Sequence, residues 1–312
     1  MGKQAFEIVE RGHGVPLVLI PGVQGRWEYS RGIVEALARF YRVITFSLCD
    51  ERTWSGGGDS CHIDVFAGQV EAALDRLHIG SAAIVGVSFG GLVALRFAAT
   101  RPTRTTALVI ISAPGPQWHL RPRHDLYARL PWVFGPLFLA ESPFRLRREV
   151  VAALPERLAR RRYLREQLRT IITAPVSLAR MAARARLIGP YDRVADCAQV
   201  TAPTLVVQGD ETLDHVTGSG GTAEYSTLIC GARLVQMDRT GHLGSVTRPD
   251  DCAAIVHRFI EDVVGDSPPN ERQREESQRM DSQRRGQQRM GNQRTGNQRM
   301  GNGRVGNEHS AA

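Results

Sequence analysis

The chain has 312 residues and 42% hydrophobic content, enough to pack one large α/β domain or two smaller ones. No apolar run approaches the ~20 residues of a membrane-spanning helix, and Met1–Glu7 carries neither an apolar signal region nor the Ser or Thr of a myristoylation site, so no membrane partner is expected. The formal charge of +8 is carried largely by arginine, between about Arg121 and Arg186 and in the C-terminal tail, while scattered cysteines without C-x-x-C spacing (Cys49, Cys61, Cys197, Cys230, Cys252) argue against a disulfide framework or zinc site and for reduced thiols in a cytoplasm.

In chain order, Ala5–Glu10 reads as an edge strand, Gly12-His13-Gly14 as a turn, and Pro16–Ile20 as a buried strand ending at Pro21-Gly22. A helical pattern covers about Tyr29–Phe40, and Tyr41–Ser47 is the next strand. A loop with Gly56-Gly57-Gly58 leads to a helix over about Ile63–Leu77. The apolar run that begins at Ala82, ahead of Gly86, predicts a buried strand, the pattern of Leu92, Val93, Leu95 and Phe97 a helix, and Ala107–Ser112 another strand. After Ala113-Pro114-Gly115-Pro116 the alternation stops. As far as about Pro190 the sequence is helical, arginine-rich and broken by prolines (Pro122, Pro131, Pro136, Pro143, Pro155, Pro175). Thr204–Gln208 and Leu234–Met237 resume the strands, and Asp251–Val264 is a closing amphipathic helix.

Strands alternating with helices predict an α/β fold, a mostly parallel, doubly wound sheet with helices on both faces. The expected division is a core of residues 1–115 and 191–265, a helical cap at 116–190, and a tail at 266–312. In the tail a five-residue unit recurs, as in Gly291–Thr295 and Gly296–Met300. It has no apolar periodicity and is expected to be disordered. A tandem-repeat tail without function is the favoured reading, and nucleic acid is not an expected partner except through this basic segment.

The chemistry centres on Gly86-Val87-Ser88-Phe89-Gly90, which joins a predicted strand to a predicted helix. A serine on such a strained turn is lifted above the sheet edge and faces the free amides of a helix N-terminus. Side chains in place of Gly86 or Gly90 would collide with neighbouring backbone. Serine needs a base within hydrogen-bond reach and a third group to orient that base. His242, in Thr240-Gly241-His242-Leu243-Gly244, follows the last strand and so reaches the same sheet edge. His13, His78, His119, His124, His257 and His309 lie in turns, helices, the insertion or the tail, His62 lies in a loop, and the loop residue His215 stands in reserve. The acid is sought in Gly209-Asp210-Glu211-Thr212-Leu213-Asp214. Asp214 is favoured because the loop must run outward before it can turn back; Asp210 and Glu211 stay open. Two backbone donors, Val23 and Phe89, are expected to form an oxyanion hole.

Taken together, Leu19-Ile20-Pro21-Gly22, Gly86 to Gly91, Gly209 to Asp214 and Gly241-His242 resemble the α/β-hydrolase superfamily over about residues 5–264, in particular small bacterial hydrolases with a helical cap. The resemblance implies Ser88 as nucleophile and His242 as base. Two departures stand out. Pro21-Gly22 occupies the place of the family's common His-Gly, and Thr212 stands where the acid usually falls, with Asp214 two residues on. A serine elbow argues against haloalkane dehalogenase and epoxide hydrolase relatives, which use aspartate. The expected activity is a serine hydrolase cleaving a small, mainly apolar ester or related acyl compound, a small-molecule substrate, with no metal or organic cofactor. The family also hosts carbon–carbon bond hydrolases, lactonases, thioesterases and haloperoxidase-like enzymes, and a ligand-binding protein with a vestigial triad is the alternative of another class. Trp118, Trp132 and Phe134 are expected either to line an apolar pocket or to pack the insertion.

Overall fold

Short, almost wholly apolar strands set the architecture. The computed structural model describes residues 6–49, 62–218 and 221–264. Among these, β1 (Ile8–Arg11), β2 (Pro16–Ile20), β3 (Arg42–Phe46), β4 (Ala82–Val87), β5 (Thr105–Ile111), β6 (Thr204–Gly209) and β7 (Arg233–Met237) form a seven-stranded sheet in the order β1-β3-β2-β4-β5-β6-β7. Only β1 runs antiparallel, against β3. Every residue of β4 is buried, as expected of a central parallel strand covered on both faces.

Alternate strand residues feed two cores. On one face, α2 (Ile63–Arg76) and α3 (Phe89–Thr100) pack Phe66, Val70, Leu92 and Phe97 against Val18, Ile84 and Ile110. On the other, α1 (Arg31–Leu37) and the C-terminal helix Pro249–Val264 pack Ile33, Val34, Val256 and Phe259 against Leu19, Val85 and Val109. In that last helix the buried Cys252, Val256, Phe259 and Ile260 recur at helical spacing, with a proline and two aspartates opening the first turn. The helix expected over Tyr29–Phe40 is a 3₁₀ turn, Trp27–Ser30, followed by α1.

Strand order reverses on either side of β2 and β4, so the crevice of this sheet lies at their C-terminal ends. Registers Ile20↔Gly86, Val87↔Ile111 and Gly209↔Met237 bring the loops after β2, β4, β6 and β7 to one edge.

Between β5 and β6 runs the helical insertion: α4 (Pro122–Arg129), α5 (Pro131–Ala153), α6 (Arg157–Thr173) and α7 (Leu178–Leu187), then α8 (Arg193–Cys197). Pro122 and Pro131 open helices, and Pro155 and Pro175 fall between them, as a residue without an amide donor should. Pro136 and Pro143 depart from the expectation of breaks, because both lie inside the 23-residue α5. The buried Arg193 ties the root of the insertion, donating to Ile188 O and Pro116 O at 2.8 Å each and to Trp118 O at 3.3 Å. Sheet and insertion belong to one compact unit ending at Val264. Among the described residues no helix is long and apolar enough to cross a membrane. The expectations for Ala5, the Gly56–Gly58 loop, Cys61 and the repeat tail fall outside the described residues.

Candidate active site

Ser88 sits between β4 and α3 with φ +54° and ψ −120°, a left-handed conformation an L-residue holds only when its surroundings impose it. The surroundings are steric. A Cβ on Gly86 would lie 2.1 Å from Gly90 O, and one on Gly90 would lie 2.3 Å from Ile20 O. The Ser88 amide donates to Ile111 O at 2.8 Å, which pins the turn to β5.

His242 reaches this turn from the loop after β7, and its Nε2 lies 3.0 Å from Ser88 Oγ. Behind it, Asp214 Oδ2 lies 3.6 Å from His242 Nδ1. The acid and histidine loops approach so closely because two glycines face each other. A Cβ on Gly209 would meet Gly241 O at 2.3 Å, and one on Gly241 would meet Leu213 C at 2.7 Å. Asp210 N donates to Thr240 O, and Leu213 N and Asp214 N return to Asp210 O, so residues 210–214 make a single turn before the chain folds back. That turn explains the spacing. Asp210 spends its carboxylate on Thr212 N and Oγ1, at 2.8 and 2.7 Å, while Asp214 faces the imidazole. Glu211 is exposed on the loop. Burial pushes the Asp214 carboxyl up, but His242 and the bonds from Thr217 outweigh it and hold it well below the usual carboxylate range. Val216 N also donates to this carboxylate, at 2.8 Å.

Val23 and Phe89 both border the cavity above Ser88. A Cβ on Gly22 would lie only 3.5 Å from Ser88 Cβ, so the loop after β2 runs directly over the serine. Arg184 of α7 braces that loop. It is 2% exposed and donates to Val23 O and Gln24 O at 3.3 Å, and to Leu48 O and Cys49 O at 3.4 and 3.2 Å.

The cavity has a volume of about 300 Å³ and lies between the sheet edge and the insertion, with Trp118, Tyr127, Phe138, Leu146, Met181 and Ile188 in its mainly apolar wall. Trp118 therefore borders the cavity. Trp132 is 78% exposed, and Phe134 stacks on Tyr127 at 5.2 Å, packing the insertion as in the second of the two readings. Helical periodicity is the reason. The face of α5 turned to the cavity carries Pro131, Gly135, Phe138, Ser142 and Arg145, three or four residues apart; position 132 lies off it, and Phe134, at its edge, is taken up by Tyr127. His215 and His124 border the cavity as well. His124 lies 3.2 Å from Arg145 Nη1, and burial, reinforced by that guanidinium, lowers its pKa.

The sequence reading missed Glu149. It continues the same face of α5, is fully buried, and accepts from Gly241 N at 2.7 Å and Leu243 N at 2.5 Å. Burial pushes its carboxyl up against the opposing pull of those two amides. No local pattern in the sequence marks it, since its partners lie 92 residues or more away in the chain. Among the described residues no group of three or more His, Cys, Asp or Glu side chains could hold a metal ion.

A strained serine and a histidine thus meet at the crevice of a doubly wound sheet. The chain belongs to the alpha/beta hydrolase fold family, whose model matches residues 15–249. It is 29% identical to a polyketide synthase, ThaQ, of Burkholderia thailandensis over 84% of this chain, but spans only 12% of that protein's length. It is 26% identical to a pimeloyl-[acyl-carrier protein] methyl ester esterase of Nitrosomonas europaea, over 79% of this chain and 96% of the relative. The enol-lactonase of Burkholderia xenovorans LB400 superposes with a TM-score of 0.64 at 20% identity, over 82% of this chain and 96% of that one, a likeness of fold.

Proposed function

We propose that the protein is a serine hydrolase cleaving a small, mainly apolar ester or related acyl compound through Ser88, His242 and Asp214. The observation that carries this reading is the 3.0 Å contact of Ser88 Oγ with His242 Nε2 at the floor of a mainly apolar cavity. Ser88 attacks the acyl carbon as His242 takes its proton. The amides of Val23 and Phe89 receive the charge that develops on the carbonyl oxygen. His242 returns the proton to the leaving alcohol, and water repeats the sequence to release the acid. Asp214, ionised over the working pH range, fixes the imidazole orientation and stabilises the imidazolium. The helices at 116–190 act as a cap that supplies the apolar wall and keeps water from the acyl-enzyme. The methyl ester named in the Nitrosomonas europaea relative supports the ester class.

The test is a fluorophosphonate probe followed by p-nitrophenyl esters of increasing chain length, with lactones and thioesters alongside. Labelling and turnover of wild type, both lost in Ser88→Ala, are expected. A folded wild type that neither labels nor turns over any of these compounds would sink the reading in favour of a binding protein.

A further inference from the structure

Glu149 has no part in the chemistry above, yet it grips the loop that carries the proposed base. It comes from α5, 92 residues from Gly241 in the chain. Its single oxygen Oε1 accepts from the amides of Gly241 and Leu243, the residues on either side of His242. Its second oxygen, Oε2, is buried without a hydrogen-bond partner. Three groups bear on it electrically: His242 and Asp214 from the sheet-edge loops, and Tyr163 from α6, whose phenol is pushed up to about 12 by burial with the Glu149 charge adding to it. A buried carboxyl with one unpartnered oxygen is expensive, and an apolar side chain of similar size would be the more stable occupant. Stability therefore does not account for it. Geometry does: gripping both amides fixes the Thr240–Gly241 and His242–Leu243 peptide planes, which bracket the stretch that carries the imidazole.

We propose that Glu149 is a positioning residue that transmits the seating of the insertion to His242, holding the imidazole within reach of Ser88 while the insertion rests on the sheet edge. This rests on the reading of His242 as the base. The two cross-links share the work. Arg184 on α7 braces the loop bearing Val23, and Glu149 on α5 braces the loop bearing His242, so the insertion holds both halves of the proposed machinery. The α5 face that carries Glu149 also borders the cavity through Phe138, Ser142, Arg145 and Leu146, so a substrate filling the cavity presses on the element that sets the histidine.

The experiment compares wild type, Glu149→Ala, Glu149→Gln, His242→Ala and the double variant His242→Ala with Glu149→Ala. Each is assayed for kcat and KM on the p-nitrophenyl ester that wild type cleaves best, and each is checked for folding by thermal melting. Glu149→Ala should lower kcat by about 10- to 100-fold with KM changed less than about threefold, the scale of an ångström-sized misplacement. Glu149→Gln, which keeps an oxygen acceptor, should restore most of that loss. In the His242→Ala background the Glu149→Ala change should cost less than about twofold, because its effect passes through the histidine. Should Glu149→Ala fail to fold, Glu149→Met fills the volume without an acceptor and takes its place. Wild-type kcat in the folded variant, an equal loss with and without His242, or a Gln variant as impaired as Ala would each overturn the proposal. The His242 ring resonances give an arm independent of turnover. Loss of a single sharp set in Glu149→Met supports the proposal even where no ester is cleaved, and an unchanged set refutes it.

Discussion

The sheet and the insertion are built on different physical terms. In β2, β4 and β5 the strand cores are fully buried, from Leu17 to Ile20, Ala82 to Val85 and Ala107 to Ile111. In α6 no residue is fully buried, Tyr163 being partly so, and the insertion leaves Trp132, Phe144 and Ile172 exposed at 78%, 81% and 70%. The sheet is held by apolar burial, at roughly 25 cal/mol for each Å² removed from water. The insertion adds buried charged groups gripping backbone: Arg184 over the β2 loop and Glu149 over the β7 loop, while Arg193 at its root ties together the insertion's own two ends. A region tied by directional bonds has one seat and can leave it, whereas a region held by close packing resists small displacements. The difference suits a division of labour in which the sheet fixes Ser88 and the insertion shapes the space above it.

The largest expected effect tests the sheet-edge side. Asp214→Asn should lower kcat by about 10³- to 10⁴-fold, since asparagine keeps the shape but removes the charge and favours the wrong tautomer. Asp210→Asn, which touches only Thr212, should change kcat little and cost about 0.5–2 kcal/mol of stability at most. Steady-state kinetics on both variants decide the matter, and the reverse pattern would move the acid to Asp210.

A second pair reads the contrast in stability. Leu19→Ala, at 0% exposure in β2, should cost about 2–5 kcal/mol through lost burial and the cavity left behind. Leu168→Ala, at 58% exposure in α6, should stay within about 0.5 kcal/mol. Denaturant midpoints at unchanged slope are the measurement. A large cost at Leu168 would mean that the outer face of α6 is covered in solution.

A smaller effect separates the two tryptophans. Trp118→Ala should lower kcat/KM for long-chain esters by about tenfold, on the order of 1.4 kcal/mol of lost contact, because its ring borders the cavity. Trp132→Ala should leave kcat/KM within about twofold. Equal losses would place Trp132 against substrate after all.

Legibility in the sequence followed the same divide. The strands were readable because period and burial coincide: Pro16–Ile20 and the stretch opening at Ala82 are apolar runs, and β2 and β4 fall on them. Ser88 and His242 were readable because their glycines are forced by backbone contacts of 2.1–2.7 Å, which leave a mark in the sequence itself. Asp214 could be favoured but not fixed, since its choice over Asp210 depends on how residues 210–214 turn, and that depends on Thr212 capturing Asp210. In the insertion the aromatic residues could be read either way. A tryptophan suggests a pocket by its type, but on α5 the cavity face is set by spacing, and Trp132 is off it. Glu149 and Arg184 left no local mark, because their partners are backbone groups far away in the chain.

The smallest effect concerns pH and sets one carboxylate from each region against the other. At Asp214 burial raises the pKa, but His242 and Thr217 reverse that, so the folded value lies below the unfolded one. Its contribution is complete above the ordinary aspartate range and is lost as pH falls below it. At Glu149 burial prevails over the two amides, so the folded value lies above the unfolded one. Its contribution is complete below the ordinary glutamate range and is lost as pH rises through the raised value. Acid therefore weakens the sheet-edge loop while it relieves the buried charge of the insertion. Melting midpoints taken from about pH 3 to about pH 8 should show the two signs. Asp214→Asn should flatten the acid limb, because the group whose protonation drives that loss is gone. Glu149→Gln should instead reduce the penalty that accumulates between acid and neutral pH. If the two variants shifted the profile in the same direction, the two carboxyls would not be titrating in opposite senses, and the contrast between a charge stabilised by the sheet edge and one strained by the insertion would fail.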